Sequence, residues 1–354
     1  MTSVSPVIAP ALVAWQRTHG RHGLPWQQTR DPYRVWLSEV MLQQTQVTTV
    51  LAYYERFLQR FPTVAALAAT PLDDVLAMWS GLGYYSRARN LHRCAVAVVE
   101  LHGGRFPPTA AQLAELPGIG PSTAAAIASF CFGERVSILD GNVRRVLGRV
   151  LAFDGDLAKP AEERRLWALA QTLVPAASAD MPAYTQGLMD LGSGVCTVRQ
   201  PQCLLCPLQE VCRARQAGTP TDYPVRTRKL VRTARENWWL WLEREQAGER
   251  QLWFTQRPAT GVWAGLWTLP LYESEGALAQ QAAALSGRRR PALQPGPTIR
   301  HALTHFDWTL HPRRLLASAA EPAEPGRWVG LRDSLDLALP APLRKLIEAP
   351  AFEG

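Results

Sequence analysis

The sequence predicts two domains of different class, an all-α domain followed by an α+β domain. Three observations carry this. Apolar residues recur at helical spacing from Ala11 to about Ala217. A stretch rich in Gly, Pro and Arg then breaks the pattern, and beyond it short strand-like runs take over. At 354 residues the chain is long enough for each part to bury its own core. The expected division is 1–217 for the helical domain, 218–235 for a basic linker and 236–354 for the second domain.

Helical spacing runs through Tyr33–Phe61, Thr63–Trp79, Ala88–Leu101, Ala110–Leu116, Ser122–Phe132 and Glu162–Leu173. Breaks fall at Pro62, Pro71, Gly81-Leu82-Gly83, Gly103-Gly104 and Pro107-Pro108, where backbone conformation or a missing N–H stops a helix. In the linker, Pro220 and Pro224 precede Arg226, Arg228, Lys229, Arg232 and Arg235, a solvated stretch whose charge also suits a phosphate backbone. Strands are expected at Trp238–Glu243, Gln251–Gln256, Thr298–Leu310 and Arg327–Val329, with helices near Gly276–Leu285 and Leu343–Ile347. The tryptophans at 238, 239, 241, 253, 263 and 267 read as core filling.

Composition narrows the class. Apolar residues make up 47% and charged residues 19%, as in a globular protein. No apolar run approaches the ~20 residues of a membrane span, and Met1–Pro10 lacks the basic-then-apolar form of a secretory signal. Cys94 and Cys131 sit in apolar helical contexts, so a reducing compartment is expected. A net charge of +8 is compatible with a polyanionic partner.

Cys196, Cys203, Cys206 and Cys212 follow the spacing C-x6-C-x2-C-x5-C in a stretch that also holds Arg199, Pro201 and Pro207. Such a segment is a compact loop, and four thiolates in one loop wrap a metal centre. Zinc sites more often repeat short cysteine pairs, and only one is present here. The spacing therefore favours a [4Fe–4S] cluster, with zinc as the alternative. It resembles the iron–sulfur DNA glycosylases related to endonuclease III.

Leu116-Pro117-Gly118-Ile119-Gly120 lies between two helical stretches, and Pro121 opens the second. Gly118 and Gly120 allow a tight turn, and the helix behind them presents free N–H groups, a combination that suits a DNA phosphate as well as a plain helix–helix turn. Beside the cysteine cluster, this hairpin resembles the helix-hairpin-helix glycosylase superfamily. Two carboxylates are candidates for chemistry. Asp140, in Leu139-Asp140-Gly141-Asn142, is either a helix cap or a functional group. Glu39 is the lone acid in the otherwise uncharged helical run from Trp36 to Val47, which points to a pocket position where burial keeps a carboxyl protonated.

Together with Gly81-Leu82-Gly83-Tyr84-Tyr85-Ser86-Arg87-Ala88, these blocks closely resemble the MutY-type adenine DNA glycosylases, from Trp15 to about Ile347. The resemblance implies an all-α helix-hairpin-helix glycosylase domain with an iron–sulfur loop, followed by an α+β Nudix-like domain. It implies a monomer acting on double-stranded DNA with adenine opposite 8-oxoguanine or guanine, and no membrane partner. Glu39 then matches the family acid, Asp140 the carboxylate facing the sugar, and Asn142 a polar partner of that network. Gln44, Leu82 and Tyr84 match residues that wedge into the duplex or touch the opposite strand, and Trp26 and Gln186 match the adenine pocket. Ser122 stands where bifunctional endonuclease III-like glycosylase/lyases carry their Schiff-base lysine, so base excision without strand cleavage is expected. In the second domain, Leu303-Thr304-His305 falls where the family reads 8-oxoguanine with Phe-Ser-His. Leu303 departs from that pattern, while Thr304 and His305 remain DNA-contact candidates. The stretch Ala277–Leu285 lacks the acidic residues with which a Nudix hydrolase holds magnesium.

Overall fold

The computed structural model describes residues 5–227, 231–316 and 321–349. Arg228 and Lys229 of the expected linker, and the first four residues, lie outside the described residues. The chain divides into two compact units. One comprises Met1–Ala69 and Asn90–Lys229, the other Thr70–Arg89 and Leu230–Gly354. The second unit thus takes in a short segment from the first third of the chain.

In chain order the helices are α1 (Ser5–His19), α2 (Pro32–Leu42), α3 (Val47–Arg60), α4 (Val64–Ala68), α5 (Leu72–Met78), α6 (Ser86–His102), α7 (Ala110–Leu113), α8 (Pro121–Phe132), α9 (Gly141–Val150), α10 (Pro160–Thr172), α11 (Met181–Asp190) and α12 (Arg213–Gln216). Local chemistry sets their ends. Asp31 accepts the Tyr33 N–H at 3.0 Å with Pro32 in the first helical position, which starts α2. The expected helix Tyr33–Phe61 is two helices, because the chain turns at Gln43–Gln46 and Gln44 adopts φ +58°. Pro71 likewise divides Thr63–Trp79 into α4 and α5. No described helix is long and apolar enough to cross a membrane.

The helical unit buries Leu12, Ala125, Leu139, Tyr184 and Leu188 in one core with the inner face of α9. On α9, Val143, Val146, Leu147 and Val150 point inward at helical spacing. Each such side chain contributes roughly 1.5–3 kcal/mol when fully buried. That packing fixes the helix whose first turn carries Asp140 and Asn142.

The second unit is an eight-stranded sheet of β1 (Thr233–Gln246), β2 (Glu249–Gln256), β3 (Trp267–Thr268), β4 (Leu271–Tyr272), β5 (Gln294–Pro295), β6 (Ile299–Ala302), β7 (Phe306–Leu316) and β8 (Gly326–Gly330). Its main path is β3-β2-β1-β7-β5. β1 and β7 pair in parallel from Thr233↔Phe306 to Glu243↔Leu316, and the other pairs are antiparallel. α13 (Glu275–Ser286) lays Leu278, Ala282 and Leu285 against Leu240, Leu242, Trp253 and Leu315. α14 (Ala341–Ile347) follows β8. Trp239, Trp241, Trp253 and Trp263 are buried in the core as expected, whereas Trp238 and Trp267 are only half-buried.

Two further features depart from the sequence expectation. Thr298–Leu310 is a hairpin of β6 and β7 rather than one strand, closed by the Leu303 N–H donating to the Phe306 carbonyl at 2.9 Å. Leu303, Thr304 and His305 form its tip, which no Gly or Pro marks. The segment Thr70–Arg89 is tied to the sheet unit by main-chain acceptors. The Tyr85 hydroxyl donates to the Leu339 carbonyl at 2.9 Å, and Arg89 donates to the Ala264 carbonyl at 2.7 Å.

Candidate active site

Glu39 occupies the third turn of α2, where Val35, Trp36, Leu37, Ser38, Val40 and Met41 are buried. It lines a cavity of about 390 Å³ together with Trp26, Gln186, His22, Arg30 and Phe130. That volume is in the range of small-molecule sites, ~300–1,000 Å³. Trp26 is held by an edge-to-face contact with Tyr54 at 5.2 Å. Gln186 lies on α11 and donates from Nε2 to Asp190 at 2.8 Å. Glu39 and Trp26 therefore meet Gln186, from far along the chain, in one cavity.

Burial pushes the Glu39 carboxyl up to about 7, and the negative charge of Asp140 adds to the rise. Asp140 is the N-cap of α9 and accepts the Val143 N–H at 2.7 Å. It is thus a helix cap, and although it is not among the side chains lining the cavity its charge reaches Glu39. Burial raises its pKa, while the Val143 and Asn142 amides and the Arg145 and Arg144 charges pull it back. Next to it, the Leu139 N–H donates to Ser122 Oγ at 3.2 Å, which places Ser122 at the chain entering Asp140. The Asn142 amide oxygen accepts from Arg145 at 2.8 Å.

The hairpin between α7 and α8 needs its glycine at position 118. Its φ is +76°, and a Cβ there would lie 2.4 Å from the Asn90 Cβ. Gly120 is the N-cap of α8, so the free amides of that helix open just beyond the turn.

Cys196, Cys203, Cys206 and Cys212 line one pocket whose other walls include Val146, Val150, Leu191 and Val195. Burial pushes the Cys206 thiol up to about 12, and Cys196, Cys212 and Cys203 are near enough for their charges to add to the rise. Among the described residues, no three His, Cys, Asp or Glu side chains converge as a site for a single ion. Arg149 is 2% exposed and donates to Cys196 Sγ at 3.3 Å and to the Thr197 and Val198 carbonyls at 2.6 and 2.9 Å. α9 therefore carries Asp140 and Asn142 at one end and braces the cysteine loop at the other.

In the sheet unit, Thr304 and His305 are exposed at the β6–β7 tip, and Tyr84 is 46% exposed. The Tyr84 and Thr304 hydroxyls lie 3.0 Å apart. Tyr84 holds φ +47°, and Gln44, in the helical unit, is exposed with φ +58°. Non-glycine residues in this region are strained, and such strain gathers at functional sites. Leu82, in contrast, is buried at 6% exposure.

Residues 37–172 match the model of the HhH-GPD superfamily of base excision DNA repair proteins, and 239–349 match a NUDIX domain. The adenine DNA glycosylase of Buchnera aphidicola subsp. Schizaphis graminum is 31% identical over 348 residues, covering 97% of this chain and 98% of that protein. This chain belongs to the adenine DNA glycosylase family. The human adenine DNA glycosylase is 36% identical over 82% of this chain and 62% of its own length. Among solved structures, a thermostable thymine-DNA glycosylase superposes with a TM-score of 0.54 at 28% identity, covering 60% of this chain and 97% of that one.

An adenine DNA glycosylase hydrolyses an N-glycosidic bond in base excision repair. Several residues that support the cavity side chains, the helix start at Asp140 and the cysteine loop of this glycosylase escape a reading of the sequence. Asp190 is 5% exposed and binds Arg21 through Oδ1 at 2.7 Å, a pair separated by 169 residues. One signal was present: Asp190 is a lone acid four residues after Gln186 in a largely uncharged helix, the same pattern that marks Glu39. Arg145 and Arg149 carried no such signal, since arginine is abundant throughout this chain.

Proposed function

We propose that the protein is a monofunctional glycosylase that removes adenine mispaired with 8-oxoguanine or guanine from double-stranded DNA. The observation carrying this reading is the cavity in which Glu39, with its raised pKa, meets Trp26 and Gln186 beside the Asp140 carboxylate. A flipped base would enter it as in other enzymes that work on a base outside the stack. The adenine anion is a poor leaving group, so Glu39 donates a proton to a ring nitrogen as the glycosidic bond breaks. The sugar becomes oxocarbenium-like, and the negative charge of Asp140 stabilises it, with Asn142 orienting the polar surroundings. Ser122 has no amine with which to form an imine, so the abasic strand stays intact.

The four thiols, apolar walls and neighbouring guanidinium of Arg149 fit a [4Fe–4S] cluster, whose thiolate ligands bring negative charge. Such a cluster would hold the loop that ends the helical domain. Thr304 and His305 at the hairpin tip would read the base opposite adenine, with Tyr84 and Gln44 at the duplex and the Gly118–Gly120 turn on a phosphate. Nucleotide hydrolysis by the second domain is disfavoured, because the one acid of α13, Glu275, is bound to Arg313 at 2.8 Å. The proposed domain division along the sequence is 1–217, 218–235 and 236–354, with the corrections that β1 already begins at Thr233 and that Thr70–Arg89 belongs to the sheet unit, and the proposed setting is a cytoplasmic monomer.

Excision on duplexes with adenine opposite 8-oxoguanine, G, C and T tests the reading. Cleavage of the glycosidic bond opposite 8-oxoguanine and G is expected, with strand breakage only after alkali. Breakage without alkali, trapped by borohydride, would instead support the bifunctional reading. Freshly isolated protein should be brown with about four iron atoms per chain. Stoichiometric zinc in colourless protein would overturn the cluster assignment.

A further inference from the structure

We infer that Asp190 fixes which end of the Gln186 amide faces the cavity, and so makes the site read the amine at position 6 of the purine. The inference rests on the proposal that the Glu39 cavity receives the flipped adenine. Gln186 and Asp190 are one turn apart on α11. Asp190 is buried, and it is not among the side chains lining the cavity, whereas Gln186 is. Its Oδ1 accepts from Gln186 Nε2 at 2.8 Å and from Arg21 Nε at 2.7 Å, and its Oδ2 accepts the Arg21 main-chain N–H at 2.9 Å.

The two ends of a glutamine amide are chemically opposite, one a double donor and the other an acceptor. A free glutamine presents either end and tells no purine from another. The carboxylate, ion-paired to Arg21, offers only lone pairs, so the amide nitrogen turns toward it. Gln186 Oε1 remains as the end available to a base. An acceptor there meets the exocyclic amine of adenine favourably. In hypoxanthine or guanine a carbonyl oxygen takes the place of that amine, and two lone pairs face each other. A site built to bind one hydrogen-bonding partner rejects its opposite far more strongly than an apolar pocket does. Asp190 is therefore a positioning residue, acting through Gln186.

Single-turnover excision by the full-length, cluster-loaded protein tests this on duplexes with adenine or hypoxanthine opposite 8-oxoguanine. Hypoxanthine keeps the imidazole nitrogens and alters the donor pattern of the six-membered ring. The wild type should strongly prefer adenine. Asp190→Asn supplies a donor as well as an acceptor and lets Gln186 turn. The adenine-to-hypoxanthine rate ratio should then fall about tenfold or more, the size expected when one buried polar group meets the wrong partner. Gln186→Ala leaves the Arg21–Asp190 pair untouched and should lower the ratio similarly, and Asp190→Asn should not lower it further in that background. Equal loss of both rates in Asp190→Asn, with the ratio unchanged, would make Asp190 merely structural and overturn the inference. So would an equal shift in ratio whether or not Gln186 is present. Failure of the underlying pocket reading looks different: excision would survive Glu39→Gln, or Gln186→Ala would leave both rates and their ratio at wild-type values.

Discussion

Glu243 in the sheet unit is buried and Glu39 in the helical unit is half-buried in the wall of its cavity, and their surroundings drive them in opposite directions. Burial alone would raise the pKa of Glu243. Hydrogen bonds from Arg250 at 2.9 Å, Arg314 at 2.9 and 3.1 Å and Trp241 at 2.9 Å overcome that and hold its carboxyl below the ordinary range. Glu39 has burial without such neighbours. No ion pair or hydrogen bond to its carboxylate is found among the described residues, and Asp140 adds repulsion. The sheet unit has therefore neutralised its buried acid, and the helical unit has left one poised to hold a proton near pH 7. A partnered buried charge maintains a fold, while an unpartnered one in a cavity is available for chemistry.

If that contrast is right, Glu39→Gln has the largest effect. The amide keeps the shape and hydrogen-bonding capacity of the side chain but has no acidic proton to give. Excision should fall ~10²–10⁴-fold, the usual contribution of a positioned acid, while affinity for mispaired DNA stays close to wild type. Single-turnover rates and equilibrium binding measure the two separately, and near-normal excision would remove Glu39 from the mechanism.

The pH profile sharpens the same contrast. As the proposed acid Glu39 would act in its protonated form, so the single-turnover rate should fall about tenfold per pH unit once pH rises past about 7. The residual activity of Glu39→Gln should lack that limb. Stability carries the matching signs. The raised pKa of Glu39 means that its contribution is fully present below the ordinary value of 4.5 and is lost as pH rises through about 7. The depressed pKa of Glu243 means that its contribution is present above 4.5 and is lost as pH falls through the folded value. Glu243→Gln should destabilise the protein at pH 7 by roughly 3–5 kcal/mol, since it leaves two guanidiniums facing a group without charge. Denaturant unfolding at pH 7 and pH 4 checks this, and the loss should shrink at the lower pH. A loss that grows there would break the assignment.

How much of this was legible in the sequence depends on the distance over which each feature is built. Glu39 was legible because an uncharged helix isolates it, and the cysteines because their four ligands lie in one loop. Trp26 and Gln186 entered through the resemblance, since neither carries a local signal of a pocket. The two arginines on Glu243 lie 7 and 71 residues away, and Arg21 lies 169 from Asp190, so their pairing appears only once the chain folds. The membership of Thr70–Arg89 in the sheet unit was hidden for another reason: the acceptors at Leu339 and Ala264 are main-chain carbonyls, which every residue has. That finding also changes how the second domain should be tested. Cutting the chain after Arg226 would strip Tyr85 and Arg89 of those partners, so lost activity would not isolate a reading role.

Point substitutions at Tyr84 and Thr304 avoid that difficulty, and they give the smallest effect expected here. Both side chains are exposed, and their hydroxyls meet at 3.0 Å. A single neutral hydrogen bond of this kind contributes about 0.5–1.5 kcal/mol, or roughly two- to twelvefold in a rate ratio. Tyr84→Phe and Thr304→Val each remove one partner and leave the ring and the side-chain bulk in place. If the hydroxyl pair sets the reader tip against the duplex, either change should lower the preference for adenine opposite 8-oxoguanine over adenine opposite guanine by that modest factor. The double variant should then be no worse than the more affected single one, because the same contact is already gone. Single-turnover rates on the two duplexes supply all four corners of the cycle. Additive losses would mean that each hydroxyl touches DNA independently. An unchanged preference in all three variants would move the reading of the opposite base away from this hairpin, and leave the sheet unit with its fully paired Glu243 as a structural partner alone.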